Sequence, residues 1–506
     1  MFVSFFLAFL LLNIFSTSIF QDFPYFNYVD EGHVVGNIWS GLFRAAPINI
    51  FYGPTFLDMS ALAALVVSAF SPSGFESIDI SYIFRPANTF YQDVQPAWLV
   101  LVPRALNVMM LAASSSVAAL MLRREGAGSF VSFLGGLSIN LLPWYREMSN
   151  TAMPEIAAIF FITVSLLFIS AASTPVLSRK SHILSGIAIG LLVGVKIHYA
   201  IFALLILHPL FTRGIARRER ISRFCLVLTP FLGVVSLLYL AQDTPRRHIE
   251  RLLFMFDYYQ KAESRPLFEI VFLHRLDWSW LALLLLLVIV LSLRSTPSWV
   301  KLAAGGAFVS FVFFESRDFS VDRNVVVLPV VMLLAATVGV LHSSMKRFFI
   351  PAVAAVVTAA PLASSIASFS LEGLEPLRPD SRIVAEQRIS CNEGEIIAIS
   401  IQTQMVPTQL RCDVVYFDQL LLDKMLLEDL EIGDADFVVL APSYEHRDIT
   451  QELSEAFLDA INHRYAVAFQ IEEYGSAKHT NFYAGNGSDL LILEKLNLEW
   501  EQNDFH

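Results

Sequence analysis

Long apolar runs decide what this chain can fold into. Runs of about 15 to 22 residues recur along it, and candidate spans fall at 3–20, 97–121, 128–144, 153–172, 183–195, 198–212, 222–240, 279–293, 299–314, 325–342 and 348–369. A helix needs roughly 20 apolar residues to cross the hydrocarbon core of a bilayer. Inside lipid the backbone must satisfy its own hydrogen bonds, which leaves the helix as the unit such a chain can use. Of 506 residues, 55% are hydrophobic and 16% are charged, whereas soluble domains carry about 25% charge. The fold class read from this pattern is a polytopic α-helical membrane protein with about 11 transmembrane helices.

Charge divides the chain in two. Twenty-six of the 46 acids but only 9 of the 35 Lys and Arg lie from Leu371 onward, a net −17 against +6 for the part before it. The domain reading is a transmembrane unit over 1–370 and a soluble unit over 371–506. In the second unit, β-like runs ("EIIAISI", "DVVYF", "DFVVLAP", "YAVAFQI", "DLLILEK") alternate with helical stretches such as "ITQELSEAFLDAINHRY". That alternation predicts a small α/β domain. Cys391 and Cys412 form a disulfide if this domain sits in an oxidising compartment; two unpaired thiols are the other reading. Cys225 lies inside a span and reads as a packing residue.

Basic residues set the topology. Arg123 with Arg124, Arg179 with Lys180, the cluster Arg213, Arg217, Arg218, Arg220 and Arg223, Arg294 with Lys301, and Lys346 with Arg347 share one side if the spans alternate. Short basic loops stay cytoplasmic. The N-terminus is then cytoplasmic, its apolar run a retained first span, and the tail from Leu371 extracytoplasmic. This requires Gly53–Phe70 to be an interfacial helix. It also requires "HILSGIAIGLLVGVKIHYAIFALLILHPLF" to go out and back as two short arms, with Lys196 and His198 at the outer turn. One long tilted helix is the alternative, and it would put the C-terminal domain inside.

This topology gathers charge at the outer rim. A long outer loop over 21–95 carries Asp30, Glu31 and His33; Arg104 follows Pro103; Tyr145, Arg146 and Glu155 lie between the third and fourth spans; Arg317, Asp318, Asp322 and Arg323 precede the tenth. Charges at a bilayer rim are costly and mark function. Arg forks match phosphate oxygens, and a carboxylate takes a proton from an incoming hydroxyl or amine. Each residue also has an ordinary reading. Asp30 and Glu31 can be solvated loop acids, and Arg104 can snorkel to the interface. Arg317 and Arg323 can pair with Asp318 and Asp322, and Glu155 can favour a helix N-terminus. Lys196, which interrupts an apolar hairpin, is the hardest to explain that way. The chain has no Walker loop, HExxH or CxxC, and nothing points to nucleic acid.

In order and spacing, "YVDEGHVVGN", "YGPTFLDMSALAALVV", "VPRALNVMMLAASSSVAALMLRRE", "SNTAMPEIAAIFFITVSLLF", "LSGIAIGLLVGVKIHYAIFALL" and "DRNVVVLPVVMLLAA" resemble segments of the GT-C membrane glycosyltransferases. Specifically, they resemble the protein-O-mannosyltransferase and aminoarabinose-transferase-like group. The resemblance covers about residues 1–345. It implies an inverting glycosyltransferase that moves a sugar from a polyprenyl-phosphate-linked donor to an acceptor on the outer side of the membrane, through an oxocarbenium-like transition state. It makes Asp30 the general base and Glu31 its assistant. Arg104, Lys196, Arg323 and Arg317 become donor phosphate ligands, and Glu155, Tyr145 and His198 fall on the acceptor or sugar side. It implies no metal or cofactor. The expected location is a bacterial inner or plasma membrane, and the acceptor can be protein, lipid or glycan. A flippase for a lipid-linked sugar would call for charges through the midplane and repeated halves, and neither is evident. A non-catalytic scaffold would leave the Asp30–Glu31 pair and Lys196 without a shared purpose.

Overall fold

The structure is a computed structural model and describes residues 1–16, 53–70, 98–141, 145, 148–149, 151–172, 178–212, 214–240, 246, 253, 288, 296–315, 327–342, 381–400, 410–417, 435–440, 443–446, 449–452, 465–472, 486–487 and 489–496. The chain divides into two compact units.

The first unit is helical. Its described elements are α1 (Phe2–Ser16), α2 (Pro54–Phe70), α3 (Trp98–Arg124), α4 (Ser129–Asn140), α5 (Glu155–Ala172), α6 (Ser178–Val195), a 3₁₀ segment (Ile197–Phe211), α7 (Arg217–Leu240), α8 (Ser298–Glu315) and α9 (Val327–Leu341). Leu101–Arg124, Glu155–Ala172 and Arg217–Leu240 are long and apolar enough to cross a membrane. Spans expected at 279–293 and 348–369 fall almost wholly outside the described residues.

Small residues let the helices approach closely. A Cβ on Gly136 of α4 would lie 2.5 Å from the Ser115 carbonyl of α3. One on Gly186 of α6 would lie 2.2 Å from the Val227 carbonyl of α7. Phe9 of α1 stacks on Phe133 of α4 at 5.3 Å. Ser114 and Ser116 on α3 return their hydroxyls to carbonyls one turn earlier, each at 2.7 Å, so their polarity stays satisfied within the bundle. At one end, Glu125 joins three helices: it meets His342 beyond α9 at 2.8 Å and accepts from Ser170 of α5, just past its own α3.

The hairpin from Ser178 to Phe211 turns back on itself. His182 near the start of α6 stacks on His208 near the end of the 3₁₀ segment, with ring centroids 5.6 Å apart. A single long helix is excluded by this contact. Cys225 is exposed on α7, which corrects its reading as a packing residue. Only 6% of the apolar window of that helix is buried in the protein, so Cys225 shares a face turned away from the core.

The second unit, which includes Glu375–His506, holds a helix and two sheets among its described residues. The helix is α10 (Ser381–Arg388). A five-stranded sheet has the order β2 (Asp413–Phe417), β1 (Ile396–Ser400), β3 (Phe437–Leu440), β8 (Asp489–Lys495), β6 (Tyr465–Glu472). β1 runs parallel to β2 and β3, and β8 runs antiparallel to β3 and β6. The central β1 and β3 are nearly continuous buried runs, as parallel strands covered on both faces require. Ile397, Ile399, Val439, Leu490 and Ile492 form the core with Ala385 of α10. Cys391 and Cys412 are joined as a disulfide, which ties the end of α10 to the start of β2. Ile449–Glu452, expected to open a helix, is strand β5 instead. It pairs antiparallel with β4 (Ser443–His446), and β4 also pairs with the short β7 (Asn486–Gly487). Ile449 and Thr450 are β-branched, and cross-strand pairing with His446 and Glu445 outweighs the helical pattern that follows them.

Candidate active site

The site grows from a break in the hairpin. At Lys196 the chain leaves the α-helix with extended backbone (φ −152°, ψ 137°) and re-enters as a 3₁₀ segment. A broken helix exposes carbonyls that lipid cannot satisfy. Two of them, on Val195 and Val193, meet donors from neighbouring elements, and a third donor adds a bond to the Leu191 carbonyl one turn back. Gly53 N–H donates to the Val195 carbonyl at 2.9 Å, Thr55 Oγ1 to Leu191 at 3.0 Å, and Tyr239 Oη to Val193 at 3.0 Å. The start of α2 fits here because Gly53 and Gly194 lack side chains. A Cβ on Gly53 would stand 2.1 Å from the Gly194 carbonyl, and one on Gly194 would stand 2.3 Å from Thr55 Oγ1.

This frame holds Lys196 in the interior. Its Nζ lies 2.5 Å from Glu155 Oε1, with side chains 4% and 0% exposed respectively. Glu155 opens α5, so the unpaired amides of that helix end favour its negative charge. Only one carboxylate oxygen is used: Oε2 is buried with no hydrogen-bond partner. Isolated charges in a protein interior are costly, and a pair offsets that cost only with good geometry and further hydrogen bonds.

The Glu155 turn is fixed by α3. Asn107 Nδ2 donates to the Thr151 and Met153 carbonyls at 2.8 and 2.7 Å. Arg104 precedes Asn107 by three residues, which puts both on one helix face, and it is fully buried. It is therefore no snorkelling surface cation. Tyr145 is also fully buried, with its hydroxyl oxygen at the Val330 backbone amide near the start of α9. His198 is half-buried at the second position of the 3₁₀ segment.

Of the residues expected at the site, Lys196 and Glu155 are brought into direct contact, and Arg104 lies on the α3 face that holds the Glu155 turn. Asp30, Glu31, Arg317 and Arg323 lie outside the described residues, as does His33. Sequence reasoning missed Asn107, although an amide inside an apolar span is the kind of intramembrane polar group that signals a role. It also missed Gly53 and Thr55, whose part is to close the broken backbone. Among the described residues no cluster of three His, Cys, Asp or Glu could hold a metal ion. What the arrangement offers is buried positive charge, one carboxylate oxygen still open to a donor, and a rigid backbone around both.

No protein-family profile and no curated protein sequence matches the chain. Solved structures do. ArnT from Cupriavidus metallidurans bound to undecaprenyl phosphate matches with a TM-score of 0.55 at 13% identity, over 97% of this chain and 97% of that one. The same protein in the apo state matches with a TM-score of 0.53 at 14% identity, again over 97% of each chain. At such identity the likeness is one of fold, and it runs the length of both chains. This chain has the fold of the solved ArnT structures.

Proposed function

We propose that this protein is an integral-membrane inverting glycosyltransferase. It moves a sugar from a polyprenyl-phosphate donor to an acceptor at the outer face of the membrane. The observation that carries the proposal is the fold match along the full chain to a protein solved with undecaprenyl phosphate. The buried Arg104 and Lys196 supply the cations that a lipid phosphate needs. The disulfide between Cys391 and Cys412 favours an oxidising compartment for the C-terminal domain.

In the proposed reaction the polyprenyl tail stays in hydrocarbon, so its apolar surface never enters water. Arg104, Lys196, Arg317 and Arg323 are the cations assigned to the phosphate. The acceptor hydroxyl or amine attacks the anomeric carbon from the side opposite the phosphate. The bond from that carbon to the phosphate oxygen breaks, and the lipid phosphate leaves with the electron pair. Asp30 takes the proton from the acceptor, and Glu31 orients it. Charge grows on the phosphate as the bond breaks, and preorganised cations stabilise it most at that moment. Glu155, Tyr145 and His198 belong to the sugar or acceptor side, where the open Oε2 of Glu155 can accept a hydroxyl hydrogen. The reading needs no metal or cofactor; the lipid-linked sugar is a substrate.

Reconstitution in vesicles with donors labelled in the sugar tests this. A transferase releases free polyprenyl phosphate and leaves the label on an acceptor. Movement of the intact labelled lipid between leaflets, without phosphate release, would make the protein a flippase. Neither event would leave a scaffold.

A further inference from the structure

Resting on the reading that Lys196 meets the donor phosphate, we infer that Glu155 is the exchangeable counter-ion of Lys196. It competes with the lipid phosphate for the ammonium group and so sets how quickly the spent lipid phosphate leaves.

Three observations carry this. First, the pair is buried on both sides and in direct contact at 2.5 Å. Water does not screen either partner, so a phosphate that draws the ammonium toward itself does so against the pull of Glu155. Second, both residues sit on fixed backbone. Lys196 is the extended residue between two helical segments, anchored by Gly53 on Val195. Glu155 starts a helix whose leading turn is held by Asn107. Neither backbone needs to move for a swap, since a lysine ammonium on four methylenes can turn from one anion to another. Third, the carboxylate is only half used, because Oε2 has no partner. A built structural ion pair would occupy both oxygens. One lone pair left unmet in the interior makes Glu155 a weaker hold on Lys196 than it could be, which suits a contact that must break and re-form each cycle.

The consequence is a limit on affinity. A bare buried lysine would bind the dianionic leaving phosphate tightly and release it slowly, and differences in affinity between close variants fall mainly on the off-rate. With Glu155 in place, losing the phosphate restores a paired lysine and not a naked one. Glu155 is in this respect a positioning residue: it acts on the phosphate through Lys196.

The test uses the full chain in lipid nanodiscs with a long-chain polyprenyl phosphate as the probe, measuring its affinity and off-rate alongside kcat and KM for a donor. Glu155→Gln keeps the shape and removes the charge. We expect probe affinity to rise by about tenfold or more, chiefly through a slower off-rate, and kcat and KM to fall together. Glu155→Asp keeps the charge but draws it back by one methylene, and it should shift affinity the same way by less; it serves if the glutamine variant folds poorly. Unchanged or weaker probe binding in both variants, with the wild type binding normally, would overturn the inference and leave the transferase reading standing. A wild type that binds no polyprenyl phosphate would overturn both.

Discussion

The two units of this protein treat charge in opposite ways. In the sheet unit, the core is Ile, Val, Leu and Ala beneath a strongly acidic sequence. A Cys391–Cys412 disulfide links it covalently. In the helical unit, Arg104, Glu155 and Lys196 are among the most buried side chains, and the helices turn aliphatic surface outward, as Leu232 and Leu237 of α7 do. The difference teaches where to look for function. Charge left in water costs nothing, so it says little. A membrane unit that buries a lysine, an arginine and a glutamate bears a desolvation cost that folding alone does not explain.

That contrast can be broken by substitution. The largest effect is expected at Asp30: Asp30→Asn should lower sugar transfer by roughly 10²- to 10⁴-fold, the range of general-base catalysis, while expression and thermal stability stay normal. Wild-type turnover would remove the base assignment.

Next comes Lys196→Met, which leaves Glu155 buried and unpaired. It should cost roughly 3–5 kcal/mol of stability, read as a lowered melting temperature of the detergent-solubilised protein. Adding Glu155→Leu should recover most of that loss without recovering transfer. If the double variant stays as unstable as the single one, the pair is not what Lys196→Met disturbs.

In the sheet unit, Cys391→Ser with Cys412→Ser opens a link spanning 21 residues. A loop of that size contributes about 3 kcal/mol to stability. The sheet should melt earlier, and polyprenyl-phosphate binding should be unchanged at temperatures where it remains folded. The smallest effect belongs to Arg388, whose guanidinium lies 5.9 Å from the Phe469 ring centroid. Arg388→Ala should cost about 0.5–1 kcal/mol, the size of an exposed cation–π contact.

Much of this fold was legible in the sequence, for physical reasons that differ by element. The apolar helices announce themselves by composition, and β1, β2, β3, β6 and β8 fall on the five runs read as β-like. The break at Lys196 was legible because a charge inside an apolar run has few other places to be. The Glu155–Lys196 contact was not: 41 residues separate the two, and each had been given a different task. The docking of Gly53 on Val195 was equally invisible, since it depends on missing side chains at Gly53 and Gly194 meeting in space. Ile449–Glu452 was misread because four residues of strand preceded a longer helical pattern.

The measurement that bears most directly on the central claim is photolabelling of the full chain in nanodiscs by a polyprenyl phosphate with a photoreactive group in its first isoprene unit. The account predicts labelled peptides from the start of α3 near Arg104 and from the hairpin turn around Lys196, competed away by unlabelled polyprenyl phosphate. Labelling confined to other segments, or unaffected by the competitor, would contradict it.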